Sequence, residues 1–149
     1  MSNELCLIRQ TQNLNDLTRF ENKILREEEI MTSDVENKAI DFVMNYLREK
    51  GENPIDRSKN NMGFDIESGN KRIEVKGRSG KSVSIVHFNQ YNFASMQKAI
   101  GNDTDYFVYI VKINEDDSKQ LKIMDTTEIL KKLKVRQGYD IRLTVDDFK

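Results

Sequence analysis

The chain has one cysteine, Cys6, and one histidine, His87. A lone cysteine excludes an intrachain disulfide, and one residue of each kind excludes a Cys/His zinc centre within the chain. The opening MSNELCLIRQ lacks a basic flank followed by a long apolar core, so no signal peptide is read and a cytoplasmic protein is expected. No apolar run approaches the length of a transmembrane helix, so no membrane partner is expected. Nor does one sign of charge prevail. Twenty-four basic and 25 acidic residues leave a net charge of −1, which is not the footprint of a strongly basic nucleic-acid binder. Repeats, low-complexity tracts and long linkers are absent, and proline occurs once, at Pro54.

What is present is length and charge. The 149 residues suffice for one domain with a real core, and a charged fraction of 33% against 37% hydrophobic implies a heavily solvated surface. The charge is locally uneven. Lys71, Arg72, Lys76, Arg78 and Lys81 cluster in one short stretch with only Glu74 opposing them. A basic rim of this kind serves phosphate contacts even on a neutral protein. A second basic run, Lys131, Lys132, Lys134 and Arg136, reads as a solvated face.

The stretch GFDIESGNKRIEVKGR, residues 63–78, reads as two strands joined at Gly69-Asn70, a two-residue hairpin signal. Phe64 and Ile66 alternate with Asp65 and Glu67 in the first strand. Ile73 and Val75 alternate with Arg72, Glu74 and Lys76 in the second. With Gly69 and Asn70 as the loop, Ser68 pairs with Lys71, Glu67 with Arg72, Ile66 with Ile73, Asp65 with Glu74 and Phe64 with Val75. Two carboxylates directly across a ladder repel, and also make a site for a hard cation such as Mg²⁺. Lys76 adds an ammonium to the same face. Alternating charges also describe any half-exposed hairpin, and a bulge would shift the pairing by one residue and turn one strand over.

Before the hairpin, Leu5–Ile8 reads as a short edge strand. Leu14, Leu17, Phe20, Ile24 and Leu25 read as an amphipathic helix over residues 13–31 that packs on its own domain or on a partner. Ser33 and Glu36 form a capping box opening a helix with Val35, Ala39, Val43 and Leu47 inward, closed by Gly51. Glu36 either caps that helix or aims a carboxylate at the hairpin. After the hairpin, Val83–His87 reads as a strand, and His87 reads as structural more readily than as a general base. A helix follows from Asn89 to Ile100, with Phe93, Met96 and Ile100 inward. The nearly all-apolar run from Tyr106 to Ile113 marks a strand covered on both faces. A strand over Leu121–Met124, a short helix capped by Thr126 or Thr127, and a last strand with Ile141, Leu143 and Val145 complete the order.

An order of helix, three strands, helix and strand, with Asp65 ending the second strand and Glu74-x-Lys76 in the third, resembles the PD-(D/E)XK nuclease superfamily. More narrowly it resembles the restriction-endonuclease-like domain at the C-terminus of NO VEIN proteins, a relative of Mrr-type endonucleases. The matching pieces are GFDI at 63–66, IEVKGR at 73–78, Asn89-Gln90-Tyr91 opening a helix, and YFVYIV at 106–111, and the resemblance covers about residues 33–125. It implies an α/β fold: a restriction-endonuclease-like core in αβββαβ order, its mixed central sheet flanked by helices, over residues 32–149. Residues 1–31 would be an N-terminal strand/helix extension. It implies Mg²⁺ or Mn²⁺ held by Asp65, Glu74 and the Val75 carbonyl, with Lys76 orienting or deprotonating the attacking water. Glu36 would be a helix acid acting on a metal water, and Gln90 an accessory polar residue. Relatives often carry Asn-Glu-Trp where this chain has Asn89-Gln90-Tyr91. Arg72, Arg78 and Lys81 would contact nucleic acid.

The implied activity is metal-dependent cleavage of DNA, in restriction or anti-phage defence. The chemistry agrees, since a cation and a lysine supply fixed positive charge where a phosphodiester transition state gains negative charge. Beside two carboxylates, Lys76 is expected to act through its charge and by positioning water. The alternatives are a non-cleaving module that binds nucleic acid or a protein partner, and a structural or regulatory subunit. The helix over 13–31 is the candidate surface for such a partner or for a homodimer.

Overall fold

A computed structural model describes residues 2–80, 85–135 and 139–149. The chain divides into two compact units, Met1–Asp34 and Val35–Lys149. The described residues of the first are all helical. Residues 5–8, expected as an edge strand, lie within α1 (Ser2–Glu49). A short apolar run specifies a strand only where another strand pairs with it. The expected helix start at Ser33 is also absent, because α1 continues through Ser33–Glu36. The preceding Leu25–Met31 is rich in strong helix formers, and a cap is required only where first-turn amides lack partners. Leu14, Leu17, Phe20 and Leu25 lie outside the residues whose side chains are described.

In the second unit a five-stranded sheet runs in the order β1 (Ile55–Asp56), β2 (Ile66–Ser68), β3 (Lys71–Ser79), β5 (Asp105–Ile113), β6 (Lys119–Asp125). Only β3 and β5 are parallel, so the sheet is mixed. Between them in the chain come β4 (Ile85–Phe88) and α2 (Gln90–Gly101). The elements α1, β1, β2, β3, α2 and β5 reproduce the expected αβββαβ order, with one further strand, β4, between β3 and α2. However, β4 leaves the main sheet and pairs with β8 (Tyr139–Arg142), itself paired with β7 (Leu133–Val135). The expected strand residues 83 and 84 lie outside the described residues. A short helix, α3 (Thr126–Lys132), separates β6 from β7.

Each face of the main sheet has its own core. On one, Ala39, Val43 and Leu47 of α1, spaced by four as one helical stripe requires, pack with Ile66, Ile73, Val75, Tyr109 and Val111. On the other, Phe64, Met96 of α2, Val86 and Phe88 of β4, Ile129 of α3, and Tyr106, Val108 and Ile110 of β5 pack together. Strand β5 is buried on both faces, which accounts for its unbroken apolar run. Gly77 makes the α1 contact close: a Cβ there would sit 2.7 Å from the Val35 carbonyl oxygen and 3.0 Å from the Ala39 Cβ. Gly77→Ala is expected to destabilise the fold by about 2 kcal/mol, read as a lower urea midpoint at unchanged slope.

Smaller expectations differ at the edges. Ile100, expected inward, is 55% exposed. The α3 cap is Asp125, whose carboxylate accepts from the Glu128 amide, rather than Thr126 or Thr127. Val145 lies in a 3₁₀ turn (Val145–Phe148) and is exposed, so the last strand stops at Arg142.

Candidate active site

The hairpin forms at Gly69-Asn70, with Gly69 at φ +56°. Its register is the expected one for three pairs: Ile66 with Ile73, Glu67 with Arg72, Ser68 with Lys71. Glu67 and Arg72 form the anticipated ion pair at 3.4 Å, and Glu67 also holds Arg57 at 3.1 Å. Beyond Ile66 the regular ladder breaks. The Asp65 amide donates to the Ile73 carbonyl at 2.9 Å, one residue out of step, and the Val75 amide donates to Asp65 Oδ2 at 2.8 Å. The expected cross-strand pairs Asp65–Glu74 and Phe64–Val75 therefore do not form as ladder pairs. Phe64 and Ile66, expected on one face, enter the two different cores.

The cause lies one residue earlier. Gly63 adopts φ +76°, and a Cβ on it would come within 2.3 Å of the Tyr91 carbonyl oxygen. Its carbonyl accepts from the Tyr106 hydroxyl at 2.6 Å and from Asn92 Nδ2 at 3.3 Å. Anchored to α2 and β5 there, the chain must cross from one side of the sheet to the other to enter β2. The crossing occurs at Asp65, as at a bulge, where an interrupted ladder re-aims a side chain.

Asp65 and Glu74 consequently line one cleft of about 390 Å³, together with Ser58, Gly63, Asn89 and Asn92. Glu74 is 5% exposed. Its carboxylate meets Lys76 Nζ at 2.5 Å, and that ammonium also donates to Asn92 Oδ1 at 3.5 Å. Burial pushes the Glu74 carboxyl up to about 7, against the pull of Lys76 and with the charge of Asp65 adding to the rise. Burial likewise raises Asp65, although the Val75 amide and Lys76 oppose it and the charges of Glu36 and Asp56 reinforce it. One ammonium thus leaves two neighbouring acids short of positive charge.

A hard divalent cation fits that shortage. Among the described residues no group of three or more His, Cys, Asp or Glu side chains could cage a metal. Magnesium needs only one or two carboxylates, completing its shell with carbonyls, water and phosphate oxygens. The N–H and C=O of a strand residue point toward the same edge. The Val75 amide reaches Asp65, so its carbonyl faces the edge that β2 has vacated.

The other expected residues are placed as follows. Glu36 is exposed on α1, and its charge raises Asp65 and opposes the lowering of the Arg78 guanidinium that burial causes. Arg72 lies over the Phe64 ring at 5.4 Å. Gln90 is exposed and does not line the cleft. Lys81 and Arg136 lie outside the described residues. His87 is exposed on β4, away from the cleft lining. Lys132 of the second basic run pairs with Asp147 at 3.0 Å.

The residue that sequence reasoning missed is Asn92. It is buried, and Asn89 and Asn92 cap α2 reciprocally: each side chain accepts from the other's backbone amide, at 2.9 and 3.1 Å. The same Oδ1 receives Lys76, and Nδ2 reaches Gly63. One amide therefore ties the helix start, the lysine and the turn together. The signal was Asn-x-x-Asn at a helix start, a capping pattern with amide in place of carboxylate. Asn92→Ala is expected to lower stability by about 1–2 kcal/mol in chemical denaturation, whereas Gln90→Ala changes it by less than about 0.5 kcal/mol.

The Protein NO VEIN, C-terminal family matches residues 35–124. The chain belongs to that family. The NO VEIN C-terminal segment contains Asp65, Glu74, Lys76, Asn92 and all of β5, and ends before α3. No curated protein matches the chain. Among solved structures it is similar to Hjc, a Holliday junction resolvase from the archaeal hyperthermophile Archaeoglobus fulgidus. That similarity has 14% identity and a TM-score of 0.49, over 76% of this chain and 86% of the resolvase. Among the described residues no helix is long and apolar enough to cross a membrane.

Proposed function

We propose that this NO VEIN C-terminal domain is a Mg²⁺- or Mn²⁺-dependent endonuclease that hydrolyses DNA phosphodiester bonds, acting in the cytoplasm in restriction or anti-phage defence. One observation carries the reading: a buried carboxylate, Glu74, a half-buried one, Asp65, and the Lys76 ammonium converge where the hairpin ladder opens into a cleft. Asp65, Glu74 and the Val75 carbonyl would hold the cation. When bound, it supplies a Lewis acid beside the phosphate and lowers the pKa of the attacking water. Lys76, fixed by Glu74 and Asn92, stays within reach of the phosphate and offsets the charge developing on a non-bridging oxygen as water attacks phosphorus and the leaving oxygen departs. Glu36, exposed on α1 and felt by Asp65 through its charge, orients water by hydrogen bonding. Arg72 and Arg78 contact the DNA backbone.

The test is incubation with supercoiled plasmid and linear DNA in Mg²⁺ or Mn²⁺, with a chelator control. Nicking that the chelator stops supports the enzyme. A second reading, a non-cleaving module, is favoured by the near-zero net charge and by the uncharged Gln90. Retention of DNA with no cutting in either metal would support it. The N-terminal helix is then the docking surface for a protein partner or a second copy, tested by deleting residues 1–31 and measuring oligomeric state.

A further inference from the structure

A second cleft, of about 400 Å³, adjoins the first. The two share Asn61, Met62, Phe64 and Tyr91 as a common wall. That wall is unusual for a solvated surface, since Tyr91 is 65% exposed and Met62 49% exposed. The second cleft also differs in charge. Asp65 and Glu74 line the first, whereas no acid lines the second, which carries Arg72 and Lys98. Lys98 has no carboxylate partner among the described residues. Arg72 is held over Phe64 at 5.4 Å and braced by Glu67, so its guanidinium is pre-positioned.

An exposed ring at the lip, an apolar floor and two cations match the parts of a nucleotide: a π-face, a sugar and a phosphate. Bases in a duplex already stack on their neighbours and expose only their edges. A ring outside a groove is satisfied by an unpaired base. We infer that this cleft takes one unpaired nucleotide beside the scissile phosphate, its base stacked on Tyr91 and its phosphate held by Lys98 and Arg72. The substrate is then single-stranded DNA, or DNA with an unpaired nucleotide at the cut. This rests on the proposed cleavage site only for which phosphate is adjacent; the nucleotide site itself needs no metal.

The test is therefore run in chelator, by fluorescence anisotropy. The probes are a short labelled homothymidine strand and a blunt duplex of equal length. The wild type is expected to bind the single strand about tenfold or more tighter than the duplex, and Tyr91→Ala to remove about tenfold of that affinity. Tyr91→Phe, which keeps the ring, restores it. Lys98→Ala flattens the salt dependence of binding by about one phosphate contact. Equal binding of both probes, or a Tyr91→Ala protein that binds the strand as the wild type does, overturns the inference. Cleavage of plasmid in metal is scored separately. Cutting with a Tyr91-independent affinity leaves the nuclease standing and removes this site. Tyr91-dependent binding without cutting does the reverse.

Discussion

Asp65→Asn is expected to abolish metal-dependent plasmid cleavage, by at least about 10³-fold, and Lys76→Met to lower it about 10²- to 10³-fold. Asparagine keeps the size of the side chain and an oxygen able to accept the Val75 amide, so the bond at 2.8 Å survives. What it removes is one of the two charges proposed to attract the cation. Lys76→Met keeps the aliphatic stem and removes the charge that Glu74 and Asn92 hold in place. The two variants also report different steps. Asp65→Asn should weaken metal affinity, so that raised Mn²⁺ recovers part of its rate. Lys76→Met leaves the carboxylates intact and should gain little from metal. Melting curves on both proteins establish that the variants are folded. Cleavage by Asp65→Asn at the wild-type rate would place the chemistry elsewhere.

Much of this site was legible because a two-residue turn leaves little freedom. Gly69-Asn70 set three ladder pairs, and the run after Asp105 announced a strand buried on both faces. The break at Asp65 was not legible, because strand alternation assumes that a ladder continues. Nothing in Phe64-Asp65-Ile66 says that its two apolar residues serve different cores. The information sits in long-range contacts: the turn at Gly63 is closed against Tyr91, and its carbonyl is held by Tyr106, 43 positions along the chain. Those contacts bring Asp65 and Glu74 into one cleft by a route the regular hairpin did not contain. The continuous α1 was missed for the opposite reason. Ser33 and Glu36 satisfy a local capping rule, but that rule applies only where a helix begins, and a helix already propagating through Leu25–Met31 has no orphan amides there. Asn92 was overlooked because the resemblance directed attention to Gln90. The capping geometry turns Gln90 outward and the residue two positions on inward.

The largest stability effect should come from pH and metal together. Glu74 rises from an ordinary 4.5 to about 7 on folding, chiefly because burial disfavours its charge. A folded state with the higher pKa binds more protons than the unfolded chain between those values, so its stability falls as pH rises through that window. The stabilising contribution is fully present below pH 4.5 and gone above about 7. Asp65, also raised by burial, acts with the same sign. At about 1.4 kcal/mol per tenfold change in proton affinity, the Glu74 displacement corresponds to roughly 3 kcal/mol. In a chain of this length that is on the order of 10 °C in melting temperature. In chelator, the melting temperature is expected to drop from pH 5 to pH 7.5 by an amount of this order, and Glu74→Gln to flatten that slope. Bound at the proposed site, Mg²⁺ would replace the missing positive charge, so at pH 7.5 it should recover most of the loss in the wild type; at a hundredfold excess over its dissociation constant a ligand stabilises by about 2.7 kcal/mol. It should recover nothing at pH 5, where protons occupy the acid, and little in Glu74→Gln at either pH. A wild-type melting temperature that ignores Mg²⁺ at pH 7.5 while the slope persists would show two neighbouring acids with no cation to serve.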